Sequence, residues 1–157
     1  MDKDKTHVLF VCLGNICRSP LAEVVVREKA EKRGLNHYHF ESAGTGDWHV
    51  GGSADPRSAA KAREYNLDLS NHCAQQITAR NVADWDWFIA MDRENRSNML
   101  HMGVPKSRLL MMRQFEADGD MPDVPDPYFG GPDGFEDAYR MLAANAEKLL
   151  DFLESQN

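Results

Sequence analysis

The sequence predicts an α/β fold built on a parallel sheet, and two observations support this prediction. Short apolar runs that are typical of buried strands alternate along the chain with segments of helical periodicity. The first apolar run, at residues 7–13, is almost continuous, which is typical of a strand covered on both faces. No repeat or linker divides the chain, so we expect a single domain over residues 1–157.

The elements are predicted from apolar periodicity and capping residues. The strands are predicted at residues 7–13, 38–43, 85–91 and 108–112. The helices are predicted from Ser19 to near Gly34, at residues 56–65, after Asp92 and at residues 135–154. Ser19 is the expected N-cap of the first helix with Pro20 at its first position, and Asp55 and Asp92 are the expected N-caps of the next two. Residues 114–134 form a long segment rich in Pro, Gly and Asp, which we expect to be a functional loop.

Composition and charge restrict the classes of function. Hydrophobic residues make up 42% of the chain and charged residues 27%, as in globular proteins. The 25 acidic and 18 basic residues give a formal net charge of −7, which argues against nucleic acid as the main partner. The apolar run near the N-terminus is too short to span a membrane and is not followed by a signal-peptide cleavage site.

The cysteines indicate a reducing compartment. Three cysteines, an odd number, make a disulfide-stapled secreted domain improbable, so we expect the protein to be cytoplasmic. Their spacing is poor for zinc, and no pair of histidines completes a set of four ligands, so we expect no metal.

The most informative segment spans residues 11–20 and reads VCLGNICRSP. Cys12 at a strand end is followed by five residues, then by Arg18 and the start of a helix. A helix N-terminus carries unpaired N–H groups and about half a positive charge, and a tight loop adds further N–H groups. Gly14 and Asn15 tolerate the left-handed backbone of such a loop, and the Arg18 guanidinium matches two phosphate oxygens. The pattern therefore predicts a phosphate-binding loop.

Cys12 lies at the base of this predicted loop, where positive charge favours the thiolate. A thiolate can attack phosphorus and form a phosphocysteine intermediate. The alternative is a buried core cysteine, and a bare match to Cys, five residues and Arg arises easily by chance. The strand before the loop, the Gly-Asn pair within it and the Ser-Pro helix start after it favour the nucleophile.

Residues 12–19 resemble the signature Cys-x-Gly-Asn-x-Cys-Arg-Ser of the low-molecular-weight protein tyrosine phosphatases. Further matches cover essentially the whole chain and lie at residues 42–45, 48, 72, 76–77, 91–92 and 126–128. The resemblance implies a four-stranded parallel sheet of order 2-1-3-4 with helices on both faces and the site at the carboxyl end of the first strand. It also implies hydrolysis of phosphotyrosine without a cofactor.

The resemblance implies roles for individual loop residues. Cys12 would be the nucleophile and Arg18 the phosphate-binding side chain. The other phosphate-binding residues would be Leu13, Gly14, Asn15, Ile16 and Cys17. The residues that support the loop would be Asn15, Ser19, Ser42, His72 and Asp92. Helix capping alone explains Asp92 equally well, and a surface histidine is the alternative for His72.

The departing oxygen of an aryl phosphate needs a proton donor, for which the long loop offers several carboxylates. The candidates are Asp118, Asp120, Asp123, Asp126 and Asp133. The resemblance to Asp-Pro-Tyr gives this role to Asp126, with Asp123 as the local competitor. Turn formation is the other explanation for Asp-Pro.

Aromatic and cysteine residues complete the expected site. By resemblance, Trp48 and Tyr128 form walls for a phosphotyrosine ring, with Phe129 beside them. Phe129 lacks the hydroxyl that the family often has there, which puts regulation by phosphorylation at this position in doubt. Cys17 would form a reversible disulfide with Cys12, although a small apolar packing residue is an equal alternative.

Two other functions compete with a phosphatase. Related arsenate reductases use the same kind of loop with two further cysteines, whereas this chain has only Cys73 beyond its loop. A silent phosphate-binding adaptor is the other alternative, and nothing in the sequence argues for it. We expect phosphotyrosine-containing proteins as partners, no nucleic acid or membrane, and a monomer or weak self-association.

Overall fold

The computed structural model describes residues 5–116, 122–129, 131 and 133–156. The strands are β1 (Thr6–Cys12), β2 (Tyr38–Gly44), β3 (Trp87–Ala90) and β4 (Leu109–Met111). The helices are α1 (Arg18–Lys32), α2 (Pro56–Glu64), α3 (Arg93–His101) and α4 (Asp133–Ser155). Short 3-10 helices cover Val82–Asp84, Lys106–Arg108 and Pro127–Phe129.

The four strands form one parallel sheet in the order β2-β1-β3-β4, which confirms the predicted topology. At the carboxyl end of β1, Cys12 pairs with Gly44 of β2 and Val11 pairs with Ala90 of β3. Strand β2 lies on one side of β1, and the chain then crosses to add β3 and β4 on the other side. The carboxyl end of β1 is therefore the point where the strand order reverses. Open α/β sheets bind their ligands at this point.

Side chains alternate between the two faces of the sheet, and helices cover both faces as predicted. Val8 and Phe10 of β1 belong to a buried cluster that includes residues of α1 and α4. Leu9 and Val11 belong to a second cluster, which includes Met99 of α3. Burial on both faces explains why β1 is apolar at every position from Val8 to Val11. Among the described residues, no helix is long and apolar enough to cross a membrane.

The start of α1 differs from the prediction. The helix begins at Arg18 with Cys17 as its N-cap, and no side chain caps it. The prediction that Ser19 is the N-cap is wrong, because the Ser19 hydroxyl lies within hydrogen-bond distance of Cys12 and Asn15 instead. Asp55 and Asp92 do cap α2 and α3, since their carboxylates accept backbone N–H bonds of 2.8 and 2.7 Å.

Glu136 of α4 joins this helix to α2. Its carboxylate accepts hydrogen bonds from the Tyr65 hydroxyl, from Lys61 Nζ at 2.9 Å and from Arg140 Nε at 2.7 Å. The Tyr65 and Tyr139 rings stack beside it, with centroids 3.6 Å apart. These three donors lower the pKa of Glu136 from 4.5 to about 2. The carboxylate is therefore charged, and hydrogen-bonded to α2, at any pH well above its lowered pKa.

We expect Glu136→Gln to lower the free energy of unfolding at pH 7. Because the folded-state pKa is depressed, the stabilisation is complete above the ordinary value of 4.5 and is lost as the pH falls towards 2. Urea unfolding of both proteins across this range should therefore show a difference that shrinks with acid. Glu147→Gln, on the same helix, is the matched control. A difference between the two proteins that does not change with pH would contradict this explanation.

Candidate active site

Cys12 lies buried at the base of the loop between β1 and α1, with 2% of its surface exposed. Its sulfur lies 3.0 Å from the Ser19 hydroxyl oxygen and accepts a 3.3 Å hydrogen bond from the Asn15 N–H. Both groups can donate to a thiolate, and the N-terminus of α1 follows directly. The sulfur therefore lies among hydrogen-bond donors at the start of a helix, a place that suits a bound anion.

Asn15 is the residue that shapes the loop. It is fully buried and has a φ of 58°, which asparagine tolerates better than most residues. Its side-chain amide donates to the Ser19 oxygen at 2.8 Å, and its side-chain oxygen accepts the Gln75 N–H at 2.9 Å. Its carbonyl accepts a 2.6 Å hydrogen bond from His72 Nε2. The segment after α2 thus holds the loop from outside.

Gly44, at the end of β2, allows the loop to approach the sheet closely. A Cβ at this position would lie 2.6 Å from the Leu13 carbonyl oxygen, too close for any side chain. The next residues extend the contact, since Thr45 N–H and Gly46 N–H donate to the carbonyls of Cys12 and Leu13, both at 2.9 Å. A glycine is therefore required here by the loop above it.

Arg18 is buried and held by several acceptors, although it lies beside an open cavity. Its Nη1 donates to Asp92 Oδ2 at 2.6 Å and to the Val124 carbonyl at 2.9 Å, and its Nη2 lies 3.6 Å from Asp126 Oδ2. Burial opposes its charge, but negative charge at Cys12, Asp92 and Asp126 outweighs burial and raises the pKa of Arg18. Asp92 both caps α3 and orients the guanidinium, so the two explanations for this residue are compatible.

The two nearest candidate acids have different surroundings. Asp126 lines the cavity with Cys12 and Arg18, and its Oδ1 accepts the Tyr128 N–H at 3.0 Å. Asp123 instead accepts the Arg93 N–H at 2.9 Å and is not among the lining residues. Asp118 and Asp120 lie outside the described residues, and Asp133 begins α4.

A cavity of about 140 Å³ opens above the loop. It is lined by Cys12, Leu13, Gly14, Ile16, Cys17, Arg18, Trp48, His49, Asp126 and Tyr128. The aromatic walls predicted at Trp48 and Tyr128 both lie at this cavity, and their role stays a prediction. The side chain of Phe129 lies outside the described residues.

Cys17 differs from Cys12 in its surroundings. It packs with Ile16, Ala74 and Phe135 in a small buried cluster. Burial, followed by the negative charges of Asp55, Cys12 and Asp126, raises the pKa of the Cys17 thiol well above its ordinary value. Cys17 is therefore protonated at neutral pH. All three cysteines are free, and the proposed redox pairing of Cys12 with Cys17 stays a prediction.

Ser42 takes part in the hydrogen-bond network through its backbone. Its side chain is buried, but its hydroxyl makes no hydrogen bond to any residue that the structure describes. Only its backbone contributes, because the Ser42 carbonyl accepts the Gln75 side-chain amide at 2.9 Å. The role of Ser42 in supporting the loop stays a prediction, while Asn15 and Ser19 bond to each other and to Gln75 and Ala43, respectively.

Two residues of the site carry no signal in the sequence. His49 lines the cavity, and a Cβ on Gly14 would lie 3.0 Å from its ring. Arg57 lies over the Tyr128 ring at 5.2 Å and donates to the Tyr128 carbonyl at 3.1 Å, while Asp55 holds the guanidinium at two points. Both depend on contacts between distant segments, and the Asp-Pro-Arg run suggests only a helix start.

No cluster of three or more His, Cys, Asp or Glu side chains able to hold a metal ion occurs among the described residues. The site consists of a thiol at the end of the first strand, a buried arginine and a carboxylate, and all three line one cavity. Together with the helix N-terminus, these groups define a cysteine-dependent phosphatase.

Comparison with known proteins identifies the family. The model of the low molecular weight phosphotyrosine protein phosphatase family matches residues 7–157, and the chain belongs to this family. It is 36% identical over 152 residues to the low molecular weight protein-tyrosine-phosphatase YfkJ of Bacillus subtilis, covering 95% of this chain and 96% of that protein.

Solved structures give the same result. A protein tyrosine phosphatase from Entamoeba histolytica, with Hepes in its active site, superposes with a TM-score of 0.89 at 31% identity, covering 97% of this chain and 99% of that one. An arginine phosphatase of drosophila superposes with a TM-score of 0.85 at 31% identity, covering 96% and 99%. An arsenate reductase is therefore not favoured.

Proposed function

We propose that this protein hydrolyses phosphotyrosine in proteins, with Cys12 as nucleophile, Arg18 as phosphate-binding group and Asp126 as general acid. One observation carries the proposal: the Cys12 sulfur, the Arg18 guanidinium and the Asp126 carboxylate line one small cavity at the carboxyl end of β1. Residues 13–17 supply the loop N–H groups around the phosphate. We further propose one domain over residues 1–157, which the single four-stranded sheet and the single family match over residues 7–157 support. We also propose a cytoplasmic protein, because all three cysteines are free.

The first step transfers the phosphoryl group to the enzyme. The Cys12 thiolate attacks phosphorus, so that a sulfur–phosphorus bond forms while the bond to the aryl oxygen breaks. Protonated Asp126 gives its proton to the departing oxygen, which leaves as a phenol. The guanidinium of Arg18 and the loop N–H groups stabilise the charge on the phosphoryl oxygens in the transition state. Asp92 and the Val124 carbonyl hold Arg18 in place for this task.

The second step regenerates the enzyme. Water attacks the phosphocysteine, the sulfur–phosphorus bond breaks and the Asp126 carboxylate accepts a proton from that water. Inorganic phosphate then leaves, and Cys12 returns to a thiolate next to Ser19 and the Asn15 N–H. A hydrogen bond from Ser19 to this sulfur lowers the cost of expelling it. Each of these transfers uses protein side chains and water, so the mechanism requires no metal.

The cavity favours an aryl ester over an alkyl ester. Trp48 and Tyr128 present aromatic faces at its mouth, where a phenyl ring can stack while its phosphate reaches Cys12. The Arg57 guanidinium lies over the Tyr128 ring and donates a hydrogen bond to the Tyr128 carbonyl, and both contacts hold Tyr128 in place. Phosphotyrosine-containing proteins are accordingly the proposed partners, and a silent adaptor would have no use for Asp126.

We expect the reduced protein to release inorganic phosphate from a phosphotyrosine peptide and from para-nitrophenyl phosphate, but far more slowly from the matching phosphoserine peptide. A chelator should not change either rate, because no step uses a metal. A matching phosphoarginine peptide serves as the comparison suggested by the drosophila relative. Faster release of phosphate from the phosphoarginine peptide would overturn the proposed substrate. A large loss of activity with the chelator would overturn the proposed mechanism.

A further inference from the structure

Three of the four exposed large hydrophobic side chains in the described part of the chain line the cavity above Cys12, and the fourth belongs to the same turn as one of them. These side chains and their exposed fractions are Leu13 (37%), Trp48 (72%), Val50 (57%) and Tyr128 (39%). Leu13, Trp48 and Tyr128 line the cavity, and Val50 lies in the same turn as Trp48. We call these four residues the apolar rim. Apolar side chains that gather at one place on a surface mark a recognition site rather than random exposure.

Anchored backbone presents the apolar rim. The turn that carries Trp48 and Val50 is tied to the segment after α2, since the N–H of Gly51 donates to the Ala74 carbonyl and the N–H of Ala74 donates to the Gly52 carbonyl, both at 2.9 Å. The Trp48 ring rests against Gly46, where a Cβ would lie 2.0 Å from a ring carbon. A surface held in this way loses little conformational entropy when a ligand covers it.

The charges around the apolar rim are unsuited to an acidic ligand. Arg18 is bonded to Asp92 and is used by the phosphate itself, while Arg57 is paired with Asp55 at two points. Asp126 lines the cavity, Asp47 precedes Trp48, and the formal net charge of the chain is −7. A carboxylate next to the phosphotyrosine would therefore meet repulsion without a free guanidinium to offset it among the described lining residues.

We propose that the apolar rim binds apolar side chains next to the phosphotyrosine of the substrate, so that the enzyme selects phosphotyrosine segments flanked by apolar residues over segments flanked by acidic ones. The proposal rests on the proposed function and names the class of substrate polypeptide. Its occupant is a segment of another protein, because the rim is continuous with the cavity that the phosphotyrosine enters.

The test uses phosphotyrosine peptides of equal length whose flanking residues are leucine, glutamine or glutamate. Rates of phosphate release are measured for all three peptides in the same buffer and at the same pH, so that only the flanking residues differ. We expect kcat/KM for the leucine peptide to exceed that for the glutamine peptide by about tenfold, equivalent to ~1.4 kcal/mol. The glutamate peptide should be the slowest of the three.

Variants assign the effect to the apolar rim. Val50→Ser should reduce the ratio of kcat/KM between the leucine and glutamine peptides by about threefold, because it removes apolar surface that the flanking residue covers. Asp47→Asn should raise the rate with the glutamate peptide. Asp84→Asn changes the net charge equally at the opposite end of the sheet, before β3, and should leave all three rates unchanged.

The outcomes separate this inference from the proposed function. Equal rates for the three peptides, with normal hydrolysis of para-nitrophenyl phosphate, would overturn the selection by flanking residues while the phosphatase function stands. No hydrolysis of any phosphate ester would overturn the function itself. Sedimentation that shows a dimer at assay concentration, lost in Val50→Ser, would assign the apolar rim to a second copy and would also overturn the inference.

Discussion

Replacing Cys12 by serine is expected to reduce hydrolysis of phosphotyrosine by more than ~10³-fold, the scale at which loss of a nucleophile acts in other covalent enzymes. A serine hydroxyl at this position stays protonated at neutral pH, because the groups that hydrogen-bond to the Cys12 sulfur are a hydroxyl and a backbone N–H, neither of which is a base. Release of phosphate from para-nitrophenyl phosphate by freshly reduced protein measures the effect at mildly acidic pH.

Two controls make the result of Cys12→Ser specific. The variant should still bind inorganic phosphate, which can be titrated calorimetrically, because Arg18 and the loop N–H groups are intact. Cys73→Ser is the matched substitution at an exposed cysteine away from the cavity lining and should retain full activity. Retained turnover in Cys12→Ser, or loss of turnover in Cys73→Ser instead, would show that the nucleophile lies elsewhere.

The fold was predictable because its elements have strong local signals. A nearly continuous apolar run, a Gly-Asn loop and two aspartate caps are each encoded within a few residues. Strand β1 and helices α2 and α3 lie where these signals predict them. The order of the strands was not encoded locally. It came from the resemblance of the chain to a family, which the match to residues 7–157 supports.

The site was predictable where one short segment carries it and was not where distant segments meet. Cys12, Asn15 and Arg18 belong to a single loop, so their proximity follows from their spacing. The pairing of Arg57 with Tyr128 joins residues 71 apart, and no pattern in either segment indicates it. Ser19 shows a third case, since a residue typical of helix caps is instead part of a buried network around a thiol.

Arg18 connects the phosphate loop to the segment that carries the proposed acid. Its Nη1 reaches the Val124 carbonyl at 2.9 Å, and the Val124 N–H donates to the Met91 carbonyl at 2.8 Å, so this segment continues along the end of β3. Two residues later, Asp126 lies 3.6 Å from the same guanidinium. The side chain that we propose to bind the phosphate thus also contacts the segment that positions the proposed acid.

Replacing Asp126 by alanine is expected to lower kcat by a factor of ~10²–10⁴, the range typical of lost acid catalysis. The loss should be largest for phosphotyrosine and smaller for para-nitrophenyl phosphate, because nitrophenolate leaves without needing a proton. KM should not rise, since removing a carboxylate 3.6 Å from Arg18 reduces repulsion of the substrate phosphate. Steady-state kinetics with both substrates separate these effects.

Asp123→Ala is the matched control for Asp126→Ala, because it removes a neighbouring carboxylate that bonds to Arg93 rather than facing the cavity. We expect its kcat to be close to that of the natural protein with both substrates. If Asp123→Ala gives the large, leaving-group-dependent loss and Asp126→Ala does not, the assignment of the acid is wrong. If both variants lose activity equally with both substrates, the segment does not supply a proton. Its role would then be to hold Arg18 in place through the hydrogen bond to the Val124 carbonyl.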